Sequence, residues 1–173
     1  EPLVASADRP GDFAGWSGNR ALAVAGDGSV VVTGRSEDGW TIDFLTVAFD
    51  SAGNQLWEAR KDSPADLRAF ASSVAIDDSN GRAYVTGYAH NGGDYDYLTV
   101  AYDAAGNELW SRQASTGWNE YPCCIAVAPS GNVVVTGYAD VGVNGSYPDF
   151  LTVAYDGAGN ELWRREDGAD LGS

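Results

Sequence analysis

Methionine is absent from the 173 residues, even at position 1. The natural chain is therefore expected to begin upstream of Glu1, its start removed by processing or truncation. Histidine occurs once, as His90, and lysine once, as Lys61. His90 reads as a loop residue: no G-x-S-x-G nucleophile turn accompanies it, and there is no H-E-x-x-H. No stretch shows helical periodicity, so no Gly-rich phosphate loop opens a helix. Standard enzyme chemistry is thus without its residues. No apolar run approaches the roughly 18 residues of a membrane span. Cysteine is limited to the adjacent pair Cys123 and Cys124. Neighbouring strand residues point to opposite faces, and a bridge between them would strain the backbone. Two free, buried thiols are expected, and no disulfide framework.

Basic residues are also scarce, 10 against 25 acids, for a net charge of −15. Such a surface repels nucleic acid and anionic membranes. It suits solubility in a salty or extracellular setting, and leaves room for a cation or a basic partner.

What the chain has in abundance is a repeat. DFLTVAFDSAGNQLW, DYLTVAYDAAGNELW and DFLTVAYDGAGNELW begin at Asp43, Asp96 and Asp149, 53 residues apart each time. A fixed period of that size marks a supersecondary unit that recurs and shares its core with its neighbours. Each unit reads as four short strands. The first are 21–25, 73–77 and 124–128; the second are 29–34, 82–87 and 132–137. The third are the D-[FY]-L-T-V-A-[FY]-D runs, and the fourth are 54–60, 107–113 and 160–166. β-Branched and aromatic residues fill these runs, and Gly, Asn and Asp separate them. The third strands are apolar on both faces, as strands between stacked sheets are. Asp50, Asp103 and Asp156 open D-x-A-G-N turns and read as turn residues. Trp57, Trp110 and Trp163 share one position on the fourth strand and read as packing between units.

Four antiparallel strands per unit of about 50 residues fit a β-propeller blade. The fold expected is all-β: three four-stranded antiparallel sheets, part of a larger or oligomeric propeller. Residues 1–15 read as a partial strand and lead-in from a preceding blade, with blades over 16–62, 63–115 and 116–173. The run GNVVVTGYAD…DFLTVAYDGAGNELW resembles the bacterial SBBP-type propeller repeat, a seven-bladed-propeller repeat, over about 16–166. That resemblance implies a secreted or cell-surface bacterial binding or scaffold module with no defined chemistry. The same stretch resembles, more weakly, the tryptophan-docking repeat of quinoprotein propellers. Ala48, Asp50, Gly53 and Trp57 match it in type, with spacing one residue short and the Thr before the Gly missing.

The short Gly turns fall at one end of each blade and the longer, variable segments at the other. Binding on a repeat scaffold usually resides in what varies. The candidate ligand residues there are Trp16, Trp40, Asp94, Tyr95, Trp118, Tyr121 and Tyr147. Aromatics beside acids and amides can stack on a sugar and bond its hydroxyls. Asp94 and Asp96, after Asn91-Gly92-Gly93, supply hard oxygens suited to Ca²⁺, the one cofactor in view. Asn144-Gly145-Ser146 forms a glycosylation sequon, inert in a bacterial source.

Three blades fall short of the about four to eight that close a ring. The leading expectation is therefore a non-enzymatic scaffold or binding module that self-associates, or that joins the remainder of a longer parent chain. A lectin-like propeller taking a glycan on its aromatic loops is one alternative. A fragment of a propeller enzyme or quinoprotein is the other.

Overall fold

The computed structural model describes residues 21–38, 41–65, 67–140 and 149–167. They form twelve strands in chain order. The first sheet holds β1 (Ala21–Val24), β2 (Val30–Asp38), β3 (Thr41–Phe49) and β4 (Gln55–Lys61). The second holds β5 (Ala69–Asp77), β6 (Arg82–His90), β7 (Tyr95–Tyr102) and β8 (Glu108–Ala114). The third holds β9 (Asn119–Val127), β10 (Val133–Asp140), β11 (Asp149–Tyr155) and β12 (Glu161–Asp167). Every sheet is an antiparallel meander with consecutive strands paired, and the described residues contain no helix. Contacts between sheets concentrate on the first strands, β1 with β5 and β5 with β9. This is the blade architecture of a propeller, first strands innermost.

The turn chemistry repeats with the sequence. Asp50 Oδ1 accepts from Ala52 N at 2.9 Å and Asn54 N at 2.8 Å, and its Oδ2 from Asn54 Nδ2 at 2.8 Å. Asp103 and Asp156 make the same three bonds, to Ala105 and Asn107 and to Ala158 and Asn160. The Asn54 side-chain amide first, then the backbone amides, hold the Asp50 carboxyl below the usual carboxylate range. Gly53, Gly106 and Gly159 sit at φ 84°, 83° and 80°, where a side chain would be strained.

Two cores lie between the three blades. One joins Val31, Phe44 and Ala48 of the first to Val85, Leu98, Val100 and Tyr102 of the second. The other joins Tyr84, Tyr97, Ala101 and Trp110 of the second to Val133, Val135, Leu151, Val153 and Tyr155 of the third. The expectation of third strands covered on both faces holds for β7, where every residue from Asp96 onward is buried. It fails for β3 and β11. On β3 the face of Leu45, Val47 and Phe49 is only half-buried. On β11 Phe150 is 67% exposed. The reason is position: among the described residues each of those faces has no blade beside it.

Two further corrections follow. The second strands, and the first strands of the second and third blades, run about four residues further toward the variable end than the sequence pattern indicates. Segments 35–38, 88–90, 69–71 and 119–122 were expected as loop and are strand. Register shifts at Ala71/Ser73 and at Thr136/Gly137 absorb an extra residue and let pairing continue beyond it. The thiols of Cys123 and Cys124 are free as expected, yet exposed rather than buried. They lie at the β9 bulge, Sγ to Sγ 3.3 Å, on an inner strand of the last blade.

Candidate functional site

The strand extensions gather aromatic rings at the variable end of the second and third blades. Phe70 on β5 and Tyr88 on β6 are cross-strand partners, and their rings stack at 4.9 Å. Tyr121 on β9 and Tyr138 on β10 pair the same way, centroids 5.2 Å apart. Tyr121 meets Tyr88 edge-on at 5.0 Å and so joins the two blades. Tyr95 packs on Tyr88 at 5.5 Å, and His90 on Tyr95 at 5.0 Å. The result is a continuous belt of six rings on the inner strands and their neighbours.

The belt is half-buried, and Tyr138 is exposed. No described residue takes up the hydroxyls of Tyr88, Tyr95, Tyr121 or Tyr138 within hydrogen-bonding distance. Burial, with the nearby Asp140 carboxylate, pushes the Tyr121 phenol up to about 12. Burial likewise raises Tyr88 and Tyr138. All three therefore remain neutral donors at ordinary pH. Chemically the belt offers flat apolar faces fringed by O–H groups.

The residues named from sequence divide around it. Tyr95 and Tyr121 belong to the belt. Asp94 lies beside it in a turn organised by Asn91, whose Oδ1 accepts from Gly93 N at 2.7 Å and Asp94 N at 3.0 Å. The Asn91 Nδ2 donates both to Asp94 Oδ1 and, at 2.9 Å, to Asp96 Oδ2. The two candidate calcium ligands thus share one amide donor. Among the described residues no group of three or more His, Cys, Asp or Glu is placed to hold a metal ion. Trp118 is exposed in the β8–β9 loop and makes no ring contact with the belt. Its backbone amide and that of Thr116 donate to Glu120 Oε1, at 3.3 and 2.9 Å. Glu120 is fully buried and its Oε2 finds no partner, so burial raises its carboxyl above the usual value. Trp16, Trp40, Tyr147 and the Asn144 sequon lie outside the described residues.

Sequence reasoning missed Phe70, Tyr88 and Tyr138. A signal was present: Arg35, Tyr88 and Tyr138 each follow a V-T-G run, at one equivalent strand position. His90, read as a loop residue, ends β6 within the belt, and its Nδ1 accepts from Gly92 N at 3.0 Å. A groove of about 520 Å³ between β4 and β8, crossed by the Lys61–Glu108 ion pair at 2.9 Å, lies apart from the belt.

Trp57 packs on Tyr102 at 5.8 Å and Trp110 on Tyr155 at 5.8 Å, each across a blade boundary. Trp110 Nε1 donates to Gly157 O at 3.2 Å. Trp163 holds the same register on β12, opposite Ala154 as Trp110 is opposite Ala101, and is 43% exposed.

No protein-family model matches the chain, and no curated protein matches it. Among solved structures, a crystal structure of the eukaryotic initiation factor is similar, with TM-score 0.55 over 87% of this chain at 12% identity. The match spans 32% of that chain. At such identity the likeness bears on the fold alone.

Proposed function

We propose that this protein is a non-enzymatic β-propeller scaffold and binding module that self-associates to complete its ring. One observation carries the reading: among the described residues the two outer sheet faces are apolar and uncovered, whereas their counterparts between the blades are sealed cores. Leu22 and Val24 on the first blade are 65% and 62% exposed. Their equivalents on the second and third blades, Val74 and Ile76, then Ile125 and Val127, pack into the cores. A soluble chain rarely presents contiguous apolar faces of this kind unless they meet a partner. Chromatography with light scattering tests it. The expected mass at micromolar concentration is a multiple of 18.2 kDa; a single monomeric species at every concentration would refute it.

A second reading concerns what the module carries. The tyrosine belt favours a saccharide, whose C–H faces stack on rings and whose hydroxyls meet phenolic O–H groups. On a glycan array, Tyr121→Ala and Tyr138→Ala are expected to lose at least about tenfold in binding, roughly 1.4 kcal/mol. Trp118→Ala should leave binding unchanged. Equal loss in all three variants, or none in any, would count against the belt.

A further inference from the structure

The boundaries between blades inside the chain are built to one pattern, and the outer faces carry its two unmatched halves. In each boundary a fourth-strand tryptophan lies over the glycine of the following blade's A-G-N turn. A Cβ on Gly106 would stand 2.7 Å from Trp57 Cδ2, and one on Gly159 would stand 2.7 Å from Trp110 Cδ2. A third-strand aromatic enters beside the glycine of the following blade's T-G step. Phe44 Cζ is 2.7 Å from the Cβ position of Gly87, and the Tyr97 hydroxyl is 2.6 Å from that of Gly137. Phe44 and Tyr97 are completely buried as a result.

Trp163 and Phe150 are the same two projections on the third blade, 43% and 67% exposed, and nothing among the described residues receives them. Gly53 and Gly34 are the corresponding receivers on the first blade. No atom of the described residues lies within 4 Å of the Cβ position at either. Next to Gly53 stands Phe49, the equivalent of Tyr102 and Tyr155, which carry Trp57 and Trp110. A polar contact fits the same pattern. Arg112 Nε donates to Gly159 O at 2.7 Å while its Nη1 holds the carbonyl of Ser111 at 2.8 Å. Arg165, its equivalent, already holds the carbonyl of Arg164 at 2.8 Å through Nη1.

Resting on the proposal of self-association, we infer that the partner is a second copy of this chain, docked head to tail. Trp163 of one copy seats on Gly53 and Phe49 of the other, Phe150 enters beside Gly34, and Arg165 Nε donates to the Gly53 carbonyl. Projections and receivers lie on opposite faces of the molecule, so the contact is heterologous, and a heterologous contact must close into a ring or grow into a filament. Six is the multiple of three within the usual four to eight blades, so two copies close it with two identical contacts.

Complementation tests the polarity. One variant carries Phe150→Asp and Trp163→Asp, which damages the projecting face; another carries Leu22→Asp and Val24→Asp, which damages the receiving face. All four positions are exposed in the single chain, so folding should survive; far-UV circular dichroism checks it. Should a pair unfold, serine at the same positions repeats the test. Light scattering at about 0.15 M salt limits repulsion between acidic copies. Each variant alone should be monomeric, its dimer at least roughly 30-fold weaker, the effect of losing one hot-spot side chain. An equimolar mixture should recover a dimer through its one intact contact. If either variant still dimerises alone, or the mixture stays monomeric while the wild type is dimeric, the head-to-tail docking is wrong. A wild-type chain that is itself monomeric overturns the self-association reading along with it.

Discussion

Gly87→Ala and Gly137→Ala are each expected to lower stability by about 3 kcal/mol or more, enough to remove a large share of the 5–15 kcal/mol that holds a typical domain. The glycines face the register shifts of the inner strands. Ala71 pairs with Gly87 beside one shift, and Pro122 with Gly137 beside the other. The bulged strand is pushed into the space where a side chain would begin. A Cβ on Gly87 would lie 2.1 Å from Phe70 O and 2.7 Å from Ala71 Cα. On Gly137 it would lie 2.2 Å from Tyr121 O and 2.5 Å from Pro122 Cα. These are backbone atoms, which cannot step aside as a flexible side chain can. The methyl must displace the inner strand, and with it Phe70 and Tyr121, the two rings that anchor the belt. Gly93→Ala is the control. Its nearest neighbour, Asn91 Oδ1, is at an ordinary 3.5 Å, and the change should stay within about 0.5 kcal/mol. Urea midpoints at constant slope report the difference. Equal midpoints for Gly87→Ala and Gly93→Ala would remove the close approach from the account.

Trp110→Ala is expected to cost about 3–5 kcal/mol, as other buried aromatic truncations do. Trp110 is 7% exposed and is held between Tyr84 at 5.9 Å and Tyr155 at 5.8 Å. Its loss would open a void across the second blade boundary and leave Gly157 O to the Arg82 guanidinium, whose Nη1 donates to it at 3.0 Å. Trp163→Ala, the same substitution at the same repeat position, should cost under about 1 kcal/mol in dilute protein, because its ring is 43% exposed and meets no blade among the described residues. The two tryptophans therefore separate packing inside the chain from packing between chains. Urea unfolding at sub-micromolar protein gives the first quantity. The dependence of the Trp163→Ala effect on protein concentration gives the second, since association stabilises the folded form by mass action. Equal losses for both variants at high dilution would mean that Trp163 is buried within a single chain.

These contrasts show what a sequence of this kind makes legible. The blades were readable because every level agreed: alternating β-branched runs, turn aspartates with a glycine three residues on, and one period throughout. The Asp50, Asp103 and Asp156 turns need only local atoms, so local sequence describes them fully. The burial of Trp57, Trp110 and Trp163 could not be read that way. They share one motif, and their exposure differs because a neighbouring blade is present or missing. The same holds for Phe44, Tyr97 and Phe150. The belt was half legible: Tyr95 and Tyr121 stood out as aromatics in variable segments. Tyr88 and Tyr138 follow the second strands as the sequence delimits them, and so read as the first residues of loops. Bulges at Ala71 and Pro122 carry the ladder further and turn those residues into a strand surface. The thiols show the same limit, since Cys123 and Cys124 sit in a strand but on a blade with an open side.

Hydroxyl-radical footprinting across a dilution series reports association at the open faces residue by residue. Trp163 and Phe150 on the third blade, with Leu22 and Val24 on the first, are expected to become protected together as concentration rises. Trp118, exposed in a loop away from both faces, should label equally throughout. Labelling of Trp163 that follows Trp118 at every concentration, with no protection at Leu22 or Val24, would contradict a ring completed by a second copy.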